Sequence, residues 1–168
     1  MAFIHLIEGP VGAGKSTFAS QLGKEYRAPR LILDDWMAAL FRPDRPATGI
    51  VEWYVERKNR CIDQIWKQAC GIIDAGSDVI LELGLIQRAD RQRMYNRVDA
   101  AGYGLKIYVL DAPREVRRDR IRKRNNEKGE TYSMEVPEHV FEMASDMWEP
   151  FDESECGRHE LKFIFTGN

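Results

Sequence analysis

The chain has 168 residues, 43% apolar and 31% charged, which fits one soluble globular domain with its own core and excludes a disordered chain. Its formal net charge of −2 speaks against a strongly basic nucleic-acid binder. Cys61, Cys70 and Cys156 form no C-x-x-C pair and no ligand cluster with His5, His139 and His159, so neither a disulfide framework nor a structural zinc site is expected.

The N-terminus opens directly into the apolar run Phe3–Glu8, with no leader pattern and no apolar stretch of membrane-spanning length, and reads as a cytoplasmic protein with no membrane partner. That run is the first expected strand, followed by a helix over Lys15–Tyr26. A second strand is expected over Arg30–Leu33, with a short helix starting after Asp35. Arg42–Gly49, with two prolines, reads as a loop. From about Ile50 to Ala75, Val51, Val55, Ile62, Ile65, Trp66, Ala69, Ile72 and Ile73 recur at helical spacing, and Gly76 stands where a C-terminal cap belongs. A strand over Asp78–Leu83, a helix over Arg88–Ala101 ending at Gly102, and a strand over Leu105–Leu110 follow. The next helix begins near Pro113, a residue suited to a first turn. Asn125–Val136 reads as a polar loop, Pro137 to about Trp148 as a helix, and Leu161–Phe165 as a fifth strand. Near-continuous apolar strands alternating with helices predict an α/β fold with a parallel sheet covered on both faces.

Gly9-Pro10-Val11-Gly12-Ala13-Gly14-Lys15-Ser16-Thr17 fits G-x-x-x-x-G-K-S/T between an expected strand and an expected helix. Glycines at 9, 12 and 14 let the backbone turn its N–H groups inward, where they and the helix N-terminus can hold phosphate oxygens. Gly9, Gly12, Ala13, Gly14, Lys15, Ser16 and Thr17 are therefore the candidate nucleotide-binding residues, with Lys15 reaching the outer phosphates and the Ser16 hydroxyl placed for magnesium.

Asp34 and Asp35 follow the second strand, at the end of the sheet where ligands sit in open α/β folds. One of them can take a proton from an acceptor hydroxyl, and one can cap the next helix; Asp34 suits the base and Asp35 the cap, although spacing alone leaves the two open. Between Arg114 and Arg124 lie seven basic residues. Ahead of the loop Asn125–Val136 they suggest a lid whose cations meet the transferring phosphoryl group, with Arg120 and Arg124 on one helix face. A solvated helix face and a basic nucleic-acid patch are the other readings of that segment. Glu82 and Asp111 end strands; either can act through metal-bound water or simply cap, and Asp111 before Ala112-Pro113 reads as a turn residue. Arg88 and Arg91 can meet an anionic acceptor or face solvent; Trp53 and Tyr54 can line an acceptor pocket, while Trp66 fits the core stripe.

The phosphate loop, Asp34-Asp35, Val79-Ile80-Leu81-Glu82, Asp111-Ala112-Pro113 with Arg120-x-x-x-Arg124-Asn125, and Val136-Pro137 leading to Met143 and Glu149-Pro150-Phe151 occur in this order. In that set the chain resembles, from Phe3 to about Glu155, the small P-loop kinases related to the polynucleotide 5′-kinase domain, chloramphenicol phosphotransferase and zeta-type toxins. The resemblance implies a three-layer P-loop fold with a five-stranded parallel sheet and an arginine-bearing lid. It implies ATP and Mg2+ as cofactors and phosphoryl transfer to a hydroxyl, with Asp34 as general base and Arg120 and Arg124 on the phosphates. Met37 stands where polynucleotide kinases carry an arginine, which points away from a polynucleotide acceptor. The expected activity is transfer of the γ-phosphoryl group of Mg-ATP to a hydroxyl of a small molecule or a nucleic-acid end. A nucleotide-phosphate kinase and a regulatory P-loop nucleotide-binding protein or NTPase are the alternatives.

Overall fold

A computed structural model describes residues 1–167. Five strands form one sheet in the order β2-β3-β1-β4-β5: β1 (Phe3–Glu8), β2 (Arg30–Ile32), β3 (Val79–Glu82), β4 (Gly104–Asp111) and β5 (Glu160–Phe165). Every pairing is parallel, as the apolar strands lead one to expect. Six α-helices connect them: α1 (Lys15–Tyr26), α2 (Leu33–Leu40), α3 (Ile50–Asp74), α4 (Arg88–Ala101), α5 (Arg114–Glu127) and α6 (Glu138–Met147). Short 3-10 turns stand at Arg42–Asp44 and Glu153–Cys156.

Side chains alternate across the strands, so each face of the sheet has its own core. Ile4 and Leu6 of β1, with Leu81, Ile107 and Val109, pack against Cys61, Ile65, Ala69 and Ile73 of α3 and Met94, Tyr95 and Val98 of α4. The four α3 residues recur every fourth position, which puts them on one stripe. On the opposite face Ile7, Ile80, Tyr108 and Leu110 pack against Ala19 and Leu22 of α1. Each large apolar side chain buried here contributes about 1.5–3 kcal/mol. Trp66 packs with Tyr103, ring centroids 6.2 Å apart, at the edge of the larger core. Gly76 (φ +85) and Gly102 (φ +72) follow α3 and α4 in left-handed conformations, as placed from sequence.

Register decides what meets at the top of the sheet. Ile7 of β1 stands opposite Glu82 of β3, and Glu8 opposite Val109 of β4. The turn leaving β1 therefore emerges between the carboxyl ends of β3 and β4. Strand ends shift by a residue from expectation, α5 runs on to Glu127 into the expected loop from Asn125, and one shift bears on the site: β2 stops at Ile32, and α2 begins at Leu33 rather than after Asp35. Asp34 and Asp35 lie inside its first turn, and no side chain caps it. Carboxylates there interact favourably with the helix's positive end without being the cap, so the expected capping role of Asp35 is corrected. Among the described residues no helix is long and apolar enough to cross a membrane.

Candidate functional site

The turn from Gly9 to Gly14 needs its glycines. Gly9 has φ +147, and a Cβ there would sit 2.3 Å from the backbone oxygen of Leu110. Gly12 has φ +79, and a Cβ would sit 2.7 Å from the backbone oxygen of Arg117. The loop is thus pressed between the end of β4 and the body of α5, closer than any side chain permits. Gly14, also left-handed at φ +97, is the N-cap residue of α1 and gives it no side-chain cap. Ala13 is fully buried and its N–H donates to Pro10 O at 3.2 Å. Lys15, Ser16 and Thr17 open α1, with Thr17 facing solvent.

The loop's carbonyls all point at donors. Lys15 Nζ donates to Gly9 O and Pro10 O, both at 2.9 Å. Arg117 Nη1 donates to Val11 O at 3.0 Å, Arg120 Nη1 to Gly12 O at 3.4 Å, and Thr166 Oγ1 to Ala13 O at 2.7 Å. In a trans peptide the C=O and the following N–H point in opposite directions. Holding these oxygens outward turns the N–H groups of Gly12 and Gly14 away from Arg117 and Thr166.

Ser16 Oγ lies 3.3 and 3.5 Å from the two carboxylate oxygens of Glu82, the residue that ends β3. Burial is the largest influence on Glu82 and pushes its carboxyl up to about 7, with Lys15 opposing. Lys15 is itself pushed below the usual lysine range by burial, against the attraction of Glu82 and Asp34. Burial in the crowded cleft raises the Asp34 carboxyl, and the charges of Lys15 and Arg124 oppose the rise. Although Asp34 retains exposed surface, protein atoms surround its carboxyl closely enough for desolvation to dominate. Tyr54, exposed at the start of α3, is pushed up to about 12 by burial of its hydroxyl and by the Asp34 charge, which places it on the Asp34 side of the cleft. Trp53 packs instead beneath Arg57, whose guanidinium carbon is 4.7 Å from the ring centroid.

Lys15, Ser16, Glu82, Asp34 and Arg124 thus share one electrostatic neighbourhood. Arg124 Nε is buried without a hydrogen-bond partner, a group left to be satisfied by an acceptor. Arg120 lies behind the loop, donating to Thr166 Oγ1 at 2.8 Å and to Thr166 O. Asp35 accepts a hydrogen bond from Ser133 of the segment joining α5 to α6. Asp111 accepts from the N–H of Ala112 at 2.8 Å, the turn role expected for it.

Arg91 departs from expectation. It is fully buried, bidentate to Glu155 at 2.9 and 3.0 Å, and lies over Trp148 and Phe151. It ties the loop after β3 to the segment after α6 and is closed off from any acceptor. Arg88 remains exposed, its backbone N–H donating to Glu149 at 2.8 Å. Three groups went unnoticed in the sequence: Arg117, Thr166 and Glu8. Glu8 immediately precedes the glycine turn, is 2% exposed, and accepts from the Tyr95 hydroxyl at 2.7 Å. A carboxylate at the end of a mostly apolar strand is the available signal. Arg117 was hidden among six other cations, and Thr166 carried no signal.

The residues present fit magnesium held jointly with a nucleotide. Ser16 and Glu82 offer hard oxygen donors side by side, and among the described residues no group of three or more His, Cys, Asp or Glu forms a protein-only cage. Magnesium sites shared with phosphates have this sparse protein contribution.

A family model described as an AAA domain matches residues 4–151. Curated proteins give no significant sequence match. Among solved structures, a candidate kinase from Chloroflexus aurantiacus aligns with a TM-score of 0.74 at 19% identity, over 98% of this chain and 85% of its own. Kti12 from Chaetomium thermophilum, in complex with ADP-AlF3, aligns with a TM-score of 0.70 at 13% identity, over 97% and 89%. A gluconokinase from Sinorhizobium meliloti 1021 aligns with a TM-score of 0.63 at 16% identity, over 99% and 83%. At these identities the likeness is one of fold, and the five-stranded parallel sheet with its glycine turn is that fold. With the family model spanning most of its length, the chain belongs to this AAA-domain family and has the fold of the small P-loop kinases.

Proposed function

We propose that this protein transfers the γ-phosphoryl group of ATP, bound with magnesium, to a hydroxyl of a small molecule or a nucleic-acid end. The observation that carries this reading is the convergence of Lys15, Arg124 and Asp34 at the mouth of the glycine turn. Two cations there face a carboxylate that sits on a different element from the phosphate cradle. Ser16 and Glu82 are the residues that would hold magnesium, which would neutralise charge on the phosphates.

The inward N–H groups of the turn bind and orient the phosphates. Lys15 leaves the carbonyls of Gly9 and Pro10 for the outer phosphates, an exchange of acceptors that keeps its charge satisfied. Asp34 orients the acceptor hydroxyl and takes its proton as the oxygen attacks the γ-phosphorus and the P–O bond to the β-phosphate breaks, releasing ADP. Its raised pKa supports that role, because a base works best when its pKa approaches the operating pH. Arg124 brings its unpartnered donor to the transferring group, whereas Arg120, on the same helix face, reaches the phosphates only on leaving Gly12 O and Thr166. Tyr54 lines the acceptor side. Kinase and gluconokinase folds among the structural neighbours support the reaction class.

The test uses γ-labelled ATP, magnesium and a panel of nucleosides, nucleotides, sugars, aminoglycosides, chloramphenicol and 5′-hydroxyl oligonucleotides. Transfer to an uncharged hydroxyl, lost in Lys15→Ala and Asp34→Asn, is expected. Full activity of Asp34→Asn toward a phosphate acceptor would replace this reading with a nucleotide-phosphate kinase, whose acceptor oxygen is already ionised.

A further inference from the structure

We infer that Arg117 and Thr166 are positioning residues of the phosphate loop, forming an outer clamp that presets its N–H groups before any nucleotide arrives. The inference rests on the nucleotide reading above and adds to it two residues outside the glycine motif.

Arg117 is 7% exposed although it lies in the most cationic stretch of the chain. Burial pushes its guanidinium below the usual arginine range, a desolvation penalty that calls for a compensating set of bonds. That set is specific, and it uses Nε and Nη1. Nε donates to Ala112 O at 3.0 Å, and Nη1 donates to Val11 O at 3.0 Å and to Ser145 Oγ of α6 at 3.1 Å. The guanidinium carbon lies 5.6 Å from the Phe141 ring centroid. One side chain therefore joins the crest of the phosphate loop, the end of β4 and α6.

Thr166 approaches the same loop from the end of β5. Its hydroxyl donates to Ala13 O at 2.7 Å, its N–H donates to Asp111 O at 2.8 Å, and its hydroxyl accepts from Arg120 at 2.8 Å. Val11 O and Ala13 O are thus held by two donors from two elements distant in sequence. Peptide planarity then fixes the opposite direction for the N–H groups of Gly12 and Gly14. A loop preset in this way does not lose the ordering entropy of those peptides when phosphate binds. Gly12 matters to the same contact, since only its missing Cβ lets the Arg117 backbone come so close.

The experiment measures ADP affinity by calorimetry, with the melting temperature of each nucleotide-free variant recorded alongside. Two pairs separate the hydrogen bonds from shape. Thr166→Val keeps shape and loses the donor, while Thr166→Ser keeps the donor and loses a methyl group. Arg117→Met keeps packing on Phe141 and loses the donors, while Arg117→Lys keeps a cationic donor. The clamp predicts that Thr166→Val and Arg117→Met each weaken ADP binding about tenfold or more, the size of a lost hydrogen bond to a preset or charged group. Thr166→Ser then stays near wild type, and Arg117→Lys recovers part of the loss. A purely structural role ranks the valine variant equal to or better than the serine variant. That ranking, or unchanged ADP affinity in Thr166→Val and Arg117→Met, overturns the clamp. If Arg117→Met does not fold, the half-buried Thr166 pair decides. Failure of the wild-type chain to bind ADP or ATP removes the nucleotide reading itself, an outcome distinct from the other two.

Discussion

The Tyr95 hydroxyl donates a 2.7 Å hydrogen bond to one oxygen of Glu8, and the other oxygen, Glu8 Oε1, is buried with no partner. Arg91, whose charge acts on Glu8, is already committed to Glu155. Burial pushes the Glu8 carboxyl up to about 8, partly offset by Tyr95 and Arg91. The group is therefore neutral in the folded protein at pH 7 and ionised in the unfolded chain.

A raised carboxyl pKa means that the folded state holds a proton the unfolded state has lost. Stability from this group is therefore fully present below about pH 4.5, falls as pH rises, and levels off above about pH 8. Glu8→Gln keeps the shape and removes the titration. Its advantage over wild type should widen between pH 5 and pH 8.5, by at most about 5 kcal/mol. Urea denaturation across that range measures it, and parallel pH profiles for the two proteins would contradict this account of Glu8.

Arg91→Ala should destabilise the protein by about 3–5 kcal/mol, because it leaves the buried Glu155 carboxylate with only the distant Arg88 at 4.0 Å and the Asp152 N–H at 3.2 Å. It also frees the Glu149 carbonyl that Arg91 now satisfies at 3.1 Å, while the Ile86 carbonyl keeps the Glu149 N–H at 2.9 Å. Adding Glu155→Gln should recover part of the loss by removing the orphaned charge. A double variant no more stable than Arg91→Ala would show that packing between Trp148 and Phe151 dominates instead.

These two buried groups show where sequence reading stops. The glycine turn, the apolar strands and the α3 stripe follow from spacing within one segment, where local chemistry decides the structure. Arg91 meets Glu155 across a separation of 64 residues, and Arg117 meets Val11 across 106. Nothing in the segment from Arg114 to Arg124 distinguishes the buried Arg117 from its more exposed neighbours. The start of α2 differs from expectation for a related reason. Asp34-Asp35 has the composition of a cap, but Leu33 is drawn into the core and the helix begins with it. The position of Asp34 at the top of the sheet was legible all the same, because strand ends in parallel sheets converge there.

For Asp34, the expected signature is a rate that falls as pH drops through its pKa, since the base must be ionised to take a proton. Burial sets that pKa above the ordinary aspartate range, so the acid limb should lie above that range too. Asp34→Asn should lower transfer by about 10²- to 10⁴-fold, the usual contribution of a general base, while ADP affinity stays near wild type. Loss of ADP binding in step with transfer would instead make Asp34 part of the nucleotide site.

The segment joining α5 to α6 offers the last test. Ser133 donates to Asp35, and Asn125 anchors the far side of the same segment, donating to Val136 O at 2.8 Å and accepting from the Val136 N–H at 3.1 Å. Ser133 reaches the residue next to the proposed base, so this bond carries the segment over the acceptor side of the cleft. An exposed hydrogen bond contributes about 0.5–1.5 kcal/mol, enough to shift a local opening equilibrium several-fold without moving global stability. Ser133→Ala should therefore speed amide exchange across residues 129–135 by about 2- to 10-fold, leaving the β1, β3 and β4 amides and the melting temperature unchanged. Asp35→Asn retains an acceptor oxygen and should have a smaller effect. If Ser133→Ala leaves exchange in this segment at the wild-type rate, the bond does not hold it down, and the Asn125 anchor alone accounts for its position.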